Sequence, residues 1–280
     1  MNYRHAFHAG NFADVFKHTV LVGLLDALEA KPAAFCYVDT HAGRGRYDLR
    51  GSEAARTGEA SDGVRRLVGA SLPPALQRYM DLVRSFNADG ALTTYPGSPM
   101  LAARVMREQD RAIVCDKHPE EAAALRMALA GDRRFAIHQR DGYEAPGALL
   151  PPAQKRGLVL VDPPFEAQAM EFAAIQQALA RSLQRWPGAI HAIWYPIKLR
   201  DPVQPFHRWL RSHAGAADVL VAELLLHPAN SLLRLNGCGM AILNPPWRFD
   251  TVLETWLPTL GTLLAQGTGG EQHVTWLKTA

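Results

Sequence analysis

The sequence predicts a doubly wound α/β fold, a parallel sheet with helices on both faces. Two observations carry that prediction. Short, almost continuously apolar runs rich in β-branched and aromatic residues recur along the chain, as expected of strands buried on both faces. Nearly every run is followed by a stretch with helical apolar spacing, the strand–helix alternation of crossover-linked parallel strands. With 280 residues and no repeats, low-complexity tracts or long linkers, the chain reads as one unit, 1–280.

The elements follow in order. Residues 11–30 carry Val15, Phe16, Val20, Leu21, Leu24, Leu25 and Leu28 at helical spacing, with Asn11 as cap and Pro32 beyond the end. The strand candidates are Ala34–Val38, Arg111–Cys115, Phe135–His138, Gly157–Val161, Ala189–Tyr195, Val219–Leu226, Cys238–Leu243 and His273–Leu277. Helices are expected over Ser98–Glu108, Pro119–Ala130, Glu166–Arg185, Pro202–His213 and Arg248–Ala265. One stretch breaks the rhythm. Residues 48–95 hold no strand candidate, only helical pieces at Gly63–Ala70 and Pro73–Asn87, and read as a small helical subdomain inserted at the ligand-binding edge of the sheet.

Composition excludes several classes. With 48% hydrophobic and 20% charged residues, the chain is neither disordered nor collagenous. Three cysteines in apolar runs cannot build a disulfide framework and predict a reduced, cytoplasmic protein. The first residues carry charge and imidazole in place of an apolar leader, and no apolar run reaches membrane-spanning length, so no membrane association is expected. The formal net charge of +3 is too small to announce a nucleic-acid partner by itself, so the placement of the arginine clusters matters more.

In an open parallel sheet, ligands bind beyond the carboxyl ends of the strands. After the first strand stands Asp39-Thr40-His41-Ala42-Gly43-Arg44-Gly45, whose glycines let backbone approach a ligand. It lacks the third glycine of the dinucleotide fingerprint and the lysine of a phosphate loop, which points to a nucleoside cofactor without a pyrophosphate. The second strand ends at Asp116, placed to pair with ribose hydroxyls, and the third runs into Asp141-Gly142, placed to contact an adenine. The fourth ends Asp162-Pro163-Pro164-Phe165. Two prolines hold this turn extended and rigid. The Asp162 carboxylate and the Pro163 carbonyl can accept hydrogen bonds from an exocyclic amine, and Phe165 offers a stacking face, which are the requirements for methylating an amine of a planar base.

A second such word, Asn244-Pro245-Pro246-Trp247, lies at the start of the last helix, where Asn244 reads as a helix-starting residue and Trp247 as packing. The N-terminal run is dense in histidine, but His5 and His8 lack a third ligand at usual spacing, so no metal is expected. It reads either as a structural arm tied down by aromatic side chains or as a flap over the site, with Lys17 and His18 facing ligand. Tyr95-Pro96-Gly97-Ser98-Pro99 leads into a helix whose N-terminal amides suit a carboxylate.

Together these words resemble S-adenosylmethionine-dependent adenine-N6 methyltransferases, and more closely the bacterial 23S rRNA (adenine-2030-N6)-methyltransferase family, RlmJ. The matching words are Tyr-Arg-His-x-Phe-His-Ala-Gly-Asn-x-Ala-Asp-Val-x-Lys-His at 3–18, Asp-Thr-His-Ala-Gly-x-Gly-Arg-Tyr at 39–47, Pro-Gly-Ser-Pro at 96–99, Asp-Gly at 141–142, Asp-Pro-Pro-Phe at 162–165 and Asn-Pro-Pro-Trp at 244–247. The resemblance implies a Rossmann-like fold and S-adenosyl-L-methionine as cofactor, bound by His18, His41, Ser98, Asp116, Asp141 and Gly142. It implies Asp162 as the catalytic residue, with Pro163 and Phe165 beside it, and direct in-line methyl transfer. Tyr3, Lys17, Arg44 and Arg46 are the expected substrate contacts. The expected partner is 23S rRNA, protein-free or partly assembled, with the protein a monomer needing no protein partner. A DNA adenine-N6 methyltransferase and a non-catalytic cofactor-binding RNA-assembly factor are the alternatives.

Overall fold

The computed structural model describes residues 5–165, 168–232 and 235–279. After a 3₁₀ turn at His5–Phe7, Asn11 accepts a hydrogen bond from the Asp14 amide and starts α1 (Phe12–Glu29). This helix is apolar around most of its circumference and is buried accordingly, packed between the sheet, α4 (Pro74–Arg84), α5 (Ser98–Val105) and α10 (Phe249–Leu264). The remaining order is β1 (Phe35–Asp39), β2 (Arg46–Asp48), α2 (Ser52–Thr57), α3 (Glu59–Asp62), then α4, β3 (Thr94–Pro96), α5, β4 (Arg111–Asp116), α6 (Pro119–Ala128) and β5 (Phe135–Gln139). Next come α7 (Ala145–Leu149), β6 (Arg156–Val161), α8 (Gln168–Arg185), β7 (Ile190–Ile197), α9 (Gln204–His213), β8 (Val219–Leu225), β9 (Gly237–Leu243), α10 and β10 (Glu271–Lys278).

The main sheet runs β10-β8-β9-β7-β6-β1-β4-β5, and β5-β4-β1-β6-β7 are mutually parallel. Counting only these five gives the Rossmann-like order 3-2-1-4-5, with the switch point between β1 and β6. Both faces are covered. Leu158 and Leu160 of β6 join the core formed with α1, α4, α5 and α10, while their alternate neighbours Val159 and Val161 pack under Phe172, Ile175 and Leu179 of α8 and Phe206 and Leu210 of α9.

Three features depart from the sequence reading. β9 and β10 are antiparallel to their neighbours rather than parallel. For β9 the reason is connection length: 11 residues separate it from β8, and the described ones form no helix, too little for a crossover; β10 follows β9 through α10 and shares its direction. The stretch read as strand-free is bracketed by a two-stranded antiparallel ribbon in which Arg46 pairs with Pro96 and Asp48 with Thr94. Between those strands the segment expected as a helix over Gly63–Ala70 is only a 3₁₀ turn at Val64–Leu67, preceded by the short α2 and α3.

Candidate active site

A cavity of about 960 Å³ opens at the switch point, lined from the carboxyl ends of β1, β4, β5, β6 and β7, the first turns of α1, and Ser98 at the start of α5. Backbone bonds lock the strand ends to one another: Thr40 N donates to Leu160 O, Ala42 N to Cys115 O, and Arg140 N to Asp116 O. The loops carrying the polar groups are thus held by a rigid sheet edge.

The glycines of this edge are required by contact. A Cβ on Gly142 would lie 2.1 Å from the Thr40 carbonyl oxygen and 2.7 Å from the His41 ring. Gly43 adopts φ +60°, and a Cβ there would meet the Tyr47 hydroxyl at 2.3 Å. His41 sits edge-on to Tyr143 with ring centroids 5.0 Å apart, and burial lowers its pKa to about 4. The Tyr143 hydroxyl in turn donates to Glu171, a cavity residue that sequence reasoning missed.

Asp116 accepts from the Gly43 amide at 2.9 Å and the His118 amide at 2.8 Å. Burial raises its pKa against these two bonds. Each carboxylate oxygen keeps a second lone pair, enough for a ribose diol. Asp141 accepts from Lys117 at 2.8 Å and from the Tyr143 amide at 3.0 Å; burial works against it, yet the Lys117 bond holds its pKa below the usual value. Ser98 donates at 2.7 Å to the fully buried Asp39, which also accepts from Tyr37 at 2.6 Å. Burial pushes Asp39 up to about 6, with both donors opposing.

At the β6 end, Lys17 reaches across from α1 to place Nζ 2.5 Å from Asp162 Oδ2 and 2.9 Å from Asp14 Oδ1. Burial opposes the Lys17 charge, but Asp14 and Asp162 win and raise its pKa well above the usual lysine range. Asp14, 2% exposed, also accepts from His5 at 3.0 Å and the Gly10 amide at 2.9 Å. Burial would raise Asp14, but His5 and Lys17 hold it well below the usual carboxylate value. Among the described residues no protein group donates to Asp162 Oδ1. Asp14 escaped sequence reasoning because an i, i+3 Asp–Lys pair looks like any helix surface pair.

Phe165 lines the cavity but is 4% exposed, edge-on to Phe172 at 5.3 Å and Trp194 at 5.7 Å. Its φ of +49° is a left-handed conformation that costs a bulky side chain about 1–3 kcal/mol. His18 lines the opposite wall, where its Nδ1 lies 2.8 Å from the Tyr95 hydroxyl, itself 3.0 Å from Tyr79 in α4. Burial, with Lys17 adding to it, lowers the His18 pKa well below 6.5, so the ring is neutral.

The cavity therefore gathers Lys17, His18, His41, Ser98, Asp116, Asp141, Gly142, Asp162, Pro163 and Phe165. Arg44 and Arg46 do not line it. Arg44 is held bidentately by Glu121, and Arg46 turns to the other face of β2, over Phe86. Tyr3 lies outside the described residues. The second Pro-Pro word is at the far edge of the sheet, because β9 runs antiparallel to β7. Asn244 does not start a helix; its side-chain amide donates to Pro187 O and Ala189 O, both at 2.8 Å. Trp247 is not packing either: it is 92% exposed, in the turn that leads into α10.

Comparison with known proteins agrees with this geometry. Residues 32–278 match the model of the family described as Ribosomal RNA large subunit methyltransferase D, RlmJ. The chain is 37% identical over 278 residues to Ribosomal RNA large subunit methyltransferase J of Escherichia coli (strain K12), covering 99% of both. It is 37% identical over 272 residues to the protein of the same name from Haemophilus influenzae (strain ATCC 51907 / DSM 11121 / KW20 / Rd), covering 96% of both. A crystal structure from Legionella pneumophila str. Philadelphia 1 superposes with a TM-score of 0.87 at 32% identity, over 96% of this chain and 98% of that one. A strand order, a cavity and a near full-length match of this kind leave one assignment, and the chain belongs to the RlmJ family of ribosomal RNA large subunit methyltransferases.

Proposed function

We propose that this protein transfers the methyl group of S-adenosyl-L-methionine to the N6 amino group of one adenine in 23S rRNA, by direct in-line transfer. The observation that carries the reading is the Asp162-Pro163-Pro164-Phe165 turn, delivered by β6 to the switch-point cavity with Lys17 on one Asp162 oxygen and, among the described residues, no donor on the other. The cavity residues fit the cofactor. The Gly142 and Gly43 cradle would be filled by any side chain, the Asp116 lone pairs suit ribose hydroxyls, and Asp141 with His41 and Tyr143 forms a polar and aromatic wall for an adenine. Bound there, S-adenosylmethionine supplies an electrophilic methyl group.

The adenine amino nitrogen is a poor nucleophile because its lone pair is delocalised into the ring. Asp162 Oδ1 and the Pro163 carbonyl accept its two hydrogens and favour a pyramidal nitrogen, which becomes strongly acidic on taking the methyl group and gives up one of those hydrogens as a proton to Oδ1. Lys17 fixes the carboxylate so that Oδ1 faces the cavity. Such positioning is worth up to about 7–11 kcal/mol. The base must leave its stack to reach this depth, which favours a loop or a loosened helix in RNA. On this reading residues 1–280 act as one methyltransferase domain with 48–95 as its helical insertion, and the protein works as a cytoplasmic monomer on protein-free or partly assembled rRNA. Among the described residues no helix is long and apolar enough to cross a membrane.

The test is twofold. N6-methyladenosine mapped in 23S rRNA from cells with and without the protein should show one site lost. Purified protein should label 23S rRNA, not duplex DNA. Labelling of DNA alone would support the DNA enzyme, and binding of cofactor and RNA with no transfer would support an assembly factor.

A further inference from the structure

β2 is three residues long, and its alternation sends neighbouring side chains to opposite sides. Tyr47 lines the catalytic cavity, while Arg46 projects onto the other face of the ribbon. There it enters a separate groove of about 180 Å³ between the end of α4, α5 and the end of α6, lined by Arg46, Phe86, Met100, Arg104, Leu129 and Arg134 among others. The groove has a specific construction. Phe86 is half-buried, its ring anchored on the core, and carries two guanidinium groups: Arg104 at 4.6 Å and Arg46 at 5.3 Å from the ring centroid. Arg104 and Arg46 are both exposed, and among the described residues no carboxylate lies within ion-pair distance of either. Arg134 beside them is neutralised by Asp132 at 2.6 Å and spends its donors on the Ala103 and Met106 carbonyls, so it closes the groove without competing for ligand.

A guanidinium stacked on a ring uses its face, and its N–H donors all lie in its plane. Stacking therefore leaves the whole donor edge free while removing much of the side chain's conformational freedom. Two such groups over one ring, neither with a carboxylate at ion-pair distance among the described residues, match phosphate oxygens, which accept bidentate bonds from arginine. The groove is joined to the active site through the ribbon itself, since Arg46 and Tyr47 are consecutive and their Cα atoms are about 3.8 Å apart. We propose that Arg46 and Arg104, presented by Phe86, bind the phosphodiester backbone of the RNA strand flanking the target adenine, guiding it around the β2–β3 ribbon. This rests on the reading of RNA as substrate and adds a contact surface outside the catalytic cavity.

The test is filter binding of radiolabelled, in vitro transcribed 23S rRNA to the full chain over a range of KCl concentrations. Replacing both arginines, R46Q/R104Q, should raise Kd about tenfold or more and lower the slope of log Kd against log salt by about 1–2, the loss of two phosphate contacts. Affinity for S-adenosylmethionine, measured by calorimetry, should stay unchanged. R46K/R104K, which keeps the charges at the same positions, should regain the wild-type slope, separating a lost contact from a folding defect. F86L keeps the apolar packing but removes the stacking face, and should weaken binding by an intermediate factor. Wild-type Kd and slope in R46Q/R104Q overturn the proposal, as does a lysine variant that fails to regain the slope. A wild-type protein that binds RNA through these arginines yet transfers no methyl group would refute the proposed reaction and leave the groove standing. Methyl transfer by the wild type, with RNA binding unaffected in R46Q/R104Q, would refute the groove alone.

Discussion

Lys17 and Asp162 are 145 residues apart in sequence, yet Nζ and Oδ2 are 2.5 Å apart. The contact ties the first helix to the Asp162-Pro163-Pro164-Phe165 turn at the cavity and occupies Oδ2, while among the described residues no group donates to Oδ1. Asp162→Ala should therefore reduce methyl transfer below detection while leaving the affinity for S-adenosylmethionine within about threefold, the Lys17 ammonium keeping Asp14 as partner. Transfer from labelled cofactor and calorimetric titration check the two halves. Asp162→Asn is the milder change, since its amide oxygen can still accept from the target amine; full activity in the alanine variant would sink the assignment.

Lys17 is also a structural charge. Its side chain is 7% exposed between Asp14 and Asp162, so Lys17→Met takes the ammonium from Asp162 and leaves Asp14 with His5 as its remaining ion-pair partner. Breaking a buried pair on one side costs about 3–5 kcal/mol. Urea unfolding should show a loss of that order, and Asp14→Asn/Lys17→Met should lose less than the sum of the single variants. Strict additivity would mean that the pair is not coupled.

Acid should destabilise the fold through its buried imidazoles. Burial holds His41 and His191 at about 4, below the free value of 6.5. Between those limits the unfolded chain binds protons that the native state refuses, so stability rises with pH across the window and is lost as pH falls through it. His191, far from the cavity, bonds Ser182 Oγ at 2.8 Å. His191→Gln should flatten the acid limb by up to about 3 kcal/mol, at roughly 1.4 kcal/mol per pH unit. Asp39 works with the opposite sign: raised to about 6, it favours the folded state below that pH and is a burden above it. Chemical denaturation at pH 5 and pH 7.5 of wild type, His191→Gln and Asp39→Asn resolves the two slopes.

Gly142→Ala forces a methyl group against the Thr40 carbonyl, a backbone atom that cannot rotate away. Destabilisation of about 1–3 kcal/mol is expected, with loss of cofactor binding as the β1 and β5 loops separate. Thermal melting with and without S-adenosylmethionine reads both: the variant should melt lower and lose its ligand-induced shift.

Much of this site was legible because strand direction in a parallel sheet gathers acids that stand 46 residues apart from first to last. Asp116, Asp141 and Asp162 each follow an apolar run, and the rule that ligands sit beyond carboxyl ends was enough to bring them together. The directions of the Arg44 and Arg46 side chains were not legible, although both stand in the expected loop-and-ribbon segment after β1. A loop arginine has several available directions, and Glu121 and Phe86, which decide between them, are remote in sequence. The β2–β3 ribbon was illegible for a different reason: three-residue strands, one ending in Pro96, show no alternation long enough to register. Asp14 and Glu171 were missed because each looks like an ordinary residue in the first turn of a helix, and only tertiary packing aims them at the cavity.

The antiparallel course of β9 has a wider consequence. The chain contains two nearly interchangeable four-residue words, Asp-Pro-Pro-Phe and Asn-Pro-Pro-Trp, delivered to opposite rims of one sheet. A short motif carries chemistry but no address; the address is written in the polarity of the strand that precedes it. Rewriting residues 244–247 as Asp-Pro-Pro-Phe would create no second centre, for the buried Lys17 and the Gly43 and Gly142 cradle stand at the other rim.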